Sequence, residues 1–146
     1  QAASVGERSN AGFALACLDL DRFKQVNDGA GHGVGDVVLK RFASILSTGR
    51  RSEDLVARIG GDEFAVLLGG IRAEHLRGVV DKLVQAVRTE DWAAINAKLE
   101  ITVSAGAVHS DELDAGQRTP AMMLRVADEL LYEAKRGGRD RAVTVT

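Results

Sequence analysis

Cysteine and proline are almost missing from this chain, which has one of each among its 146 residues. The single cysteine, Cys17, excludes an intrachain disulfide framework and fits a reducing compartment, so we expect a cytoplasmic domain. Because Cys17 lies inside an apolar run, we interpret it as a small core residue. With Pro120 the only proline, breaks between elements are expected at glycines instead.

An excess of charge of one sign is lacking too, since 19 basic and 21 acidic residues leave a net charge of −2. This balance predicts neither a nucleic-acid partner nor contact of the domain with an anionic membrane surface. No apolar stretch approaches the roughly 20 residues that span a bilayer, and no secretory signal is evident. An apolar content of 45% is typical of a globular protein, and we interpret residues 1–146 as one domain.

The most informative stretch is Gly60-Gly61-Asp62-Glu63, which separates two apolar runs at 55–57 and 64–68. Two glycines between strand-like runs predict a tight hairpin, because such turns favour residues that accept positive φ. The hairpin tip would then carry two carboxylates at a place where a bulky anion can approach the backbone. Acids beside a phosphate need a cation between them, so the tip predicts a metal-assisted nucleotide site.

A second source of carboxylates lies upstream. The apolar run 13–18 is typical of a strand buried on both faces, and it ends in Asp19-Leu20-Asp21. Alternation places Asp19 and Asp21 on one face of the strand. Mg²⁺ is commonly held by one or two carboxylates plus substrate phosphates, which Asp19 and Asp62 together would satisfy. Each acid alone is more simply a solvated turn residue, and only their combination with the Gly-Gly turn favours a metal site.

The apolar pattern predicts elements in the order βααββαβαβ. Strands are expected over about 13–19, 55–60, 63–68, 99–108 and 142–145, and helices over about 22–27, 36–49, 73–88 and 120–136. The glycine-rich stretch 28–35 is expected to be a loop, with Asp21, Asp36 and Thr119 as helix N-caps. A hairpin among alternating helices and strands predicts an α/β (α+β) fold with a mixed central sheet and surrounding helices.

Further motifs follow in order. They are Leu18-Asp19-Leu20-Asp21-Arg22-Phe23-Lys24, Asn27-Asp28, Gly31-His32, Gly35-Asp36, Arg58-Ile59-Gly60-Gly61-Asp62-Glu63-Phe64, Ser104-Ala105-Gly106 and Ala127-Asp128…Tyr132-Glu133-Ala134-Lys135. In this series the chain from Phe13 to Val145 resembles the GGDEF domain, the diguanylate cyclase family. The resemblance implies a nucleotidyl cyclase or polymerase-palm-like fold. It also implies that a homodimer of domains condenses two GTP into cyclic di-GMP and releases pyrophosphate, with Mg²⁺, or alternatively Mn²⁺, as cofactor.

The resemblance also implies roles for the acids. Asp19, the backbone carbonyl of Leu20 and Asp62 correspond to metal ligands. Glu63 corresponds to a second acid beside the metals and the reacting 3′-hydroxyl, so we group Glu63 with the ligands and count Asp19, Asp62 and Glu63 as catalytic. Metal ions held there would clamp an in-line displacement at phosphorus.

Asn27 and Asp36 correspond to the residues that read guanine, because an amide and a carboxylate can accept from the N–H groups that adenine lacks. The simpler alternatives are a residue in the last turn of a helix for Asn27 and a helix N-cap for Asp36. Phosphate contacts are implied for five residues. For the two near the end of the C-terminal helix, Lys135 and Arg139, the alternative is a favourable interaction with the helix dipole. The five are the backbone N–H groups of Arg22 and Phe23 and the side chains of Lys24, Lys135 and Arg139.

Arg51-Ser52-Glu53-Asp54 fits the RxxD pattern of the family's product-inhibition site. Arginine suits such a site because its planar fork pairs with phosphate or guanine. The pattern is common, and a solvated loop with a local ion pair is the alternative interpretation. The family's secondary inhibitory arginine falls near Lys82 or Arg77.

The family's leading Asp-x-Leu-Thr…Asn-Arg segment and helix are not found in this sequence, so we expect a GGDEF domain without them. The alternative to a cyclase is a non-catalytic module that binds GTP or cyclic di-GMP in a longer signalling protein, for example beside an EAL phosphodiesterase domain. The intact hairpin motif favours the enzyme.

Overall fold

A computed structural model describes residues 12–145, so the expectation of a missing leading segment lies outside the described residues. Within this range the elements follow the predicted order. The strands are β1 (Phe13–Leu20), β2 (Leu55–Arg58), β3 (Glu63–Gly69), β4 (Val103–His109) and β5 (Arg141–Thr144), and the helices are α1 (Phe23–Ala30), α2 (His32–Ser47), α3 (Ala73–Thr89) and α4 (Pro120–Arg136). None of the helices in residues 12–145 is long and apolar enough to cross a membrane.

The strands form one sheet in the order β2-β3-β1-β4-β5. The β4–β5 pair is parallel and the other pairs are antiparallel, which confirms the predicted mixed sheet. β1 lies at the centre and is buried on both faces, as its continuous apolar run predicts. Its two ends therefore have fixed neighbours on both sides, and the acids at its carboxyl end are placed against both β3 and β4.

Helices cover both faces of the sheet. On one face α4 packs over alternate residues of β1, and on the other α1, α2 and α3 bury the remaining residues of that strand. The α4 side contains Leu15, Cys17, Val108, Met123, Ala127 and Leu131. The opposite side contains Ala14, Ala16, Leu18 and Leu20 together with Phe23, Phe42 and Phe64, and the rings of Phe42 and Phe64 meet edge to face at 5.1 Å. The alternation of β1 thus assigns Cys17 and Asp19 to the α4 face.

The glycine-rich stretch 28–35 is not a loop, and that prediction is wrong. α1 continues to Ala30 and α2 begins at His32, so Gly31 alone separates them, with φ 92°. Gly35 is buried inside α2, where an added Cβ would lie 1.9 Å from Asn27 Oδ1. Glycine at position 35 therefore permits close contact between the two helices instead of marking a break.

Two of the three predicted N-caps are also wrong. Asp36 lies within α2, which begins after Gly31, and α1 begins after Arg22, which has φ 55° and no capping side chain. The Asp21 side chain instead bonds to β4 and to the loop before β5. Thr119 is confirmed, since its hydroxyl accepts from the Met122 N–H at 3.3 Å.

The hairpin forms where it was predicted, but not for the predicted reason. Residues 59–62 connect β2 to β3, and neither Gly60 nor Gly61 has positive φ. The Ile59 and Gly60 N–H groups both donate to the Glu63 carbonyl, at 2.9 and 3.2 Å. Gly61 has open space at the position of a Cβ, so this residue leaves the tip unobstructed. β4 is shorter than the predicted strand over 99–108 and ends one residue later.

Candidate active site

The carboxyl end of β1 and the tip of the hairpin lie side by side. β1 pairs with β3 so that Asp19 is opposite Glu63, and the Leu20 N–H donates to the Asp62 carbonyl at 3.3 Å. Asp19 and Asp62 are near enough for the Asp62 carboxyl group to raise the pKa of Asp19. The sequence predicted this convergence of two distant acids, and the fold brings it about through one antiparallel strand pair.

Asp19 is a buried acid that pairs with a lysine. It is 8% exposed, and its Oδ2 accepts from Lys135 Nζ near the end of α4. Its Oδ1 is buried and has no hydrogen-bond partner in the described part of the chain. The pKa of Asp19 is raised to about 7, chiefly by burial and then by the Asp62 carboxyl group, while the Lys135 ammonium opposes the shift.

A third and a fourth acid complete the cluster. Oxygen atoms of Glu63 and Asp128 lie within 4.8 Å of each other and of the Cys17 sulfur. Burial, and after it the Asp128 carboxyl group, raises the pKa of Glu63. Burial raises the pKa of the Cys17 thiol to about 12, which supports its interpretation as an inert core residue.

Asp128 was not predicted as a site residue, although a signal for it exists. Asp128 and Lys135 are seven residues apart in the sequence, a spacing that places both on the same face of a helix. That face of α4 packs on the side of the sheet that carries Asp19 and Glu63. Once Lys135 is assigned to the site, helical periodicity therefore assigns Asp128 to it as well.

The donor set fits a hard divalent cation. Asp19, Asp62 and Glu63 supply carboxylate oxygens, which Mg²⁺ and Mn²⁺ prefer as ligands. The buried, unpartnered Oδ1 of Asp19 is the strongest structural indication, because burying such an atom is costly unless something binds it. The Lys135 ammonium lowers the pKa of both Asp19 and Glu63. One lysine does not balance the charge of the clustered acids, so the site has an excess of negative charge.

The raised pKa of Asp19 predicts a pH dependence of stability in metal-free buffer. The pKa of Asp19 rises from 3.8 to about 7 on folding, so between these values the folded state binds more protons than the unfolded state. The contribution of Asp19 to the free energy of unfolding should therefore fall as pH rises from about 4 to 7. We expect Asp19→Asn to flatten this slope in thermal melts with a chelator, and a variant with the same slope as the wild type would contradict the assignment.

The residues predicted to contact phosphate lie on two sides of the acids. Arg22 and Phe23 follow β1 after Asp21, with Phe23 buried and Lys24 exposed in the first turn of α1. The N–H groups at the start of a helix suit an anion. Lys135 and Arg139 come from the other side, Lys135 paired with Asp19 and Arg139 in the loop between α4 and β5.

The two residues predicted to read guanine belong to neighbouring helices. Asn27 is half-buried in the last turn of α1, where its carbonyl accepts from the Gly31 N–H at 3.0 Å. Its side chain lies against Gly35, and Asp36 follows Gly35 with its side chain exposed. The α1–α2 contact thus brings the predicted pair to one region, and Asp36 is free of the capping role that was its alternative.

Arg51 and Asp54 lie at the opposite end of β3 from Glu63, about 20 Å away at the usual rise per strand residue. The buried Asp54 carboxylate accepts from the N–H groups of Arg51 and Gly69, both at 3.0 Å. Arg51 donates to the Gly69 carbonyl through its Nη2. Asp54 therefore holds the loop in place, and the guanidinium of Arg51 reaches across to the end of β3.

An open cavity of about 410 Å³ lies beside this loop, and basic residues line it. Arg50, Arg72 and His75 join Arg51 there, and sequence reasoning missed these three. Arg50 Nε and Nη1 are buried without a hydrogen-bond partner within residues 12–145. The two candidates for a secondary arginine lie elsewhere, since Lys82 lines a neighbouring cavity and Arg77 pairs with Asp81.

Comparison with known proteins shows the family to which this chain belongs. Residues 1–141 match the sequence profile of the family described as "Diguanylate cyclase, GGDEF domain". The chain belongs to the GGDEF domain family. Its fold is that of solved GGDEF structures. It superimposes with a TM-score of 0.83 on the active GGEEF domain of a diguanylate cyclase from Vibrio cholerae, at 27% identity and covering 99% of this chain and 90% of that one.

Two bacterial relatives that are named as diguanylate cyclases match most of this chain. The GGDEF domain is 38% identical over 133 residues to the probable diguanylate cyclase DgcT of Escherichia coli, covering 90% of this chain and 29% of that protein. It is 40% identical over 134 residues to the diguanylate cyclase DgcP of Pseudomonas aeruginosa, covering 92% of this chain and 19% of that protein. The chain thus spans less than a third of the length of these two relatives.

Proposed function

We propose that this GGDEF domain is a diguanylate cyclase that condenses two GTP molecules into cyclic di-GMP. The observation that carries the proposal is the convergence of Asp19, Asp62 and Glu63 at the end of β1, with one Asp19 oxygen buried and unpartnered. A site built of acids around one lysine suits a cation and a triphosphate together.

The acids and the backbone carbonyl of Leu20 would hold divalent cations, which when bound neutralise charge at the transferring phosphate and activate the attacking hydroxyl. The N–H groups of Arg22 and Phe23 would orient the triphosphate from the start of α1. The side chains of Lys24, Lys135 and Arg139 would bind its oxygens and so stabilise the departing pyrophosphate.

Asn27 and Asp36 would select the base. The Asp36 carboxylate can accept from N1–H and the exocyclic amine of guanine, and adenine offers no equivalent pair of donors. Gly35 supports this role because it leaves room for the Asn27 side chain between the two helices. A pocket whose polar groups would remain unpaired with adenine discriminates strongly against it.

One domain supplies one GTP, so the reaction needs two copies facing each other. The 3′-oxygen of each GTP attacks the α-phosphorus of the other, and the bond from that phosphorus to the β-phosphate bridging oxygen breaks. Each attack transfers the hydroxyl proton to solvent and releases one pyrophosphate, and two attacks close the ring. The homodimer therefore belongs to the proposed mechanism.

The experiment is a direct assay of the chain with GTP and MgCl₂, alone and fused to a short dimerising coiled coil. We expect cyclic di-GMP and two pyrophosphates per product, with faster turnover in the fusion. MnCl₂ in place of MgCl₂ should also support turnover, whereas a chelator should stop it. If both forms bind GTP and neither makes product, the domain is a non-catalytic GTP-binding module and the proposal is wrong.

We further propose that Arg51 and the basic cavity beside it bind cyclic di-GMP and thereby inhibit the enzyme. The cavity's arginines and the unpartnered nitrogens of Arg50 support an anionic or guanine-bearing ligand there. The solved structure of the GGDEF domain of DgcB from Caulobacter crescentus, similar to this chain with a TM-score of 0.79, is described as a complex with c-di-GMP.

For this second site we expect Arg51→Ala and Arg72→Ala each to weaken cyclic di-GMP binding about tenfold or more, the usual scale for losing charge-assisted hydrogen bonds. Calorimetric titration of product into each variant measures the change. Lys24→Ala, at the opposite end of the domain, is the matched control and should bind product normally at this site. Unchanged affinity in both arginine variants would contradict the proposal.

A further inference from the structure

The loop between α4 and β5 has an unusual backbone. Gly138, Arg139 and Asp140 are consecutive, and all three have positive φ, at 122°, 64° and 50°. Glycine accepts this conformation freely, but arginine and aspartate do so only at a cost. Such a conformation persists only where the surroundings hold it, and it concentrates at functional sites. Arg139 is one of the residues to which the proposed function assigns a phosphate contact.

Two side chains hold Asp140, one from each side. Asp21 Oδ2 accepts from the Asp140 N–H at 3.0 Å. From α3, Arg88 Nε donates to both Asp140 carboxylate oxygens, at 3.0 and 2.9 Å. The Arg88–Asp140 contact is half-exposed, whereas Asp21 is 6% exposed. The buried Asp21 therefore holds the backbone of Asp140, and the half-exposed Arg88 holds the Asp140 side chain.

Asp21 is itself held by β4 and by the residue just before it. Its Oδ1 accepts from the Ser104 hydroxyl at 2.6 Å, and its Oδ2 accepts from the Thr102 hydroxyl at 2.7 Å. The Asp21 N–H also donates to the Thr102 carbonyl at 2.9 Å. Together with the Asp140 N–H, the two hydroxyl groups make three donors to one carboxylate. A carboxylate suits this arrangement because it only accepts hydrogen bonds.

The position of Asp21 in the chain links the two halves of the site. It follows Leu20, whose carbonyl is an expected metal ligand, and it precedes Arg22 and Phe23, whose N–H groups are expected to face the triphosphate. Through Asp140 the same residue fixes the loop that carries Arg139. A single buried carboxylate therefore connects the end of β1 to the loop that carries Arg139.

We propose that Asp21 is a positioning residue for triphosphate binding, which holds the strained loop 138–140 so that Arg139 faces the substrate. The inference rests on the proposed function, because it assigns Asp21 a task only if a nucleoside triphosphate binds between β1 and this loop. In this role Asp21 does not contact the nucleotide itself. It acts through Asp140 and Arg139.

The test is a double-mutant cycle on nucleotide affinity. The probe is 3′-deoxy-GTP, which lacks the attacking hydroxyl and so binds without reacting, titrated into the chain with MgCl₂ in a calorimeter. We expect Asp21→Asn and Arg139→Ala each to weaken binding about tenfold, as loss of a charge-assisted contact does. The double variant should bind no more than about twofold more weakly than Arg139→Ala, because coupled residues are non-additive.

Stability is followed in parallel by thermal melting. Val80→Ala, a core variant in α3 away from the loop, provides a loss of stability without any change in the loop. If its affinity falls as much as that of Asp21→Asn at similar melting temperature, Asp21 is merely structural and the inference is overturned. It is also overturned if the effects of Asp21→Asn and Arg139→Ala multiply to about a hundredfold in the double variant.

Arg88→Ala tests the same idea if Asp21→Asn does not fold, because its ion pair with Asp140 is half-exposed. It should weaken binding in the same direction and lose its effect in the Arg139→Ala background, and an unchanged affinity would overturn the inference. Arg125→Ala removes an exposed ion pair with Glu129 from α4 and should leave affinity unchanged. If the wild-type chain binds no probe, the proposed function fails; if it binds and the variants do too, only this inference fails.

Discussion

Replacing Asp62 with asparagine is expected to reduce cyclic di-GMP formation by at least about a hundredfold, the scale on which a lost electrostatic contact to a transition state reduces turnover. The change keeps the shape of the side chain and removes one charge from the hairpin tip. Because the Asp62 carboxyl group raises the pKa of Asp19, the same substitution should also stabilise the metal-free fold. Product formation from GTP and the melting temperature in a chelator measure the two effects.

The opposite directions of these two effects make the Asp62 test sharp. A variant that is inactive because it is unfolded would melt lower, not higher. Asp81→Asn, which removes an exposed acid paired with Arg77 on α3, is the matched control and should change neither quantity appreciably. Turnover close to that of the wild type in Asp62→Asn would refute the assignment of the hairpin acids.

Gly106→Ala should strongly destabilise the fold, although the residue lies outside the acidic cluster. An added Cβ in the middle of β4 would lie 2.2 Å from the Leu131 nitrogen and 2.3 Å from the Ala127 carbonyl oxygen of α4. The end of a flexible side chain can move aside, but the backbone atoms of a helix cannot. The whole of α4 must therefore shift away from the sheet. We expect a loss on the order of 3 kcal/mol in the free energy of unfolding, near the upper range for overpacking.

The shift of α4 should also reduce activity beyond the loss of folded protein, because this helix carries Lys135 to Asp19. Denaturant titration gives the stability, and GTP turnover per folded molecule gives the second effect. Gly78→Ala is the matched control, since nothing lies within 4 Å of its added Cβ in α3. It should be neutral or slightly stabilising, by about 0.5–1 kcal/mol, as glycine in a helix is unfavourable. Equal stability of the two variants would contradict the close-packing argument.

Hydrophobic periodicity and the position of the Gly-Gly pair were enough to predict the order of elements and the meeting of Asp19 with Asp62, although neither glycine adopts the positive φ on which the hairpin prediction was based. Both depend on strong local signals, namely a continuous apolar strand and a hairpin between two such runs. The loop predicted at 28–35 is wrong because a glycine that breaks a helix and a glycine that permits close helix contact look alike in a sequence. Gly35 is there because two helices touch, and only the folded chain shows that Asn27 fills the space.

The roles of Asp21 and Asp54 could not be read from the sequence for a related reason. Both carboxylates accept hydrogen bonds from residues distant in the chain, Asp21 from Thr102, Ser104 and Asp140, and Asp54 from Gly69. From the local sequence alone, an aspartate is most simply interpreted as a helix cap or a turn residue. Their actual hydrogen-bond partners are determined by the register between strands, which a single sequence does not show.

Cys17 has a practical consequence. Its sulfur is fully buried beneath α4, and with a pKa near 12 it is hardly ever a thiolate at neutral pH, so maleimide and methanethiosulfonate reagents should ignore it. A cysteine introduced on the exposed side of α2 or α3 would then be the sole point of labelling. Spin labels or fluorophores attached there could report how two copies approach one another in solution, with the native thiol left in place.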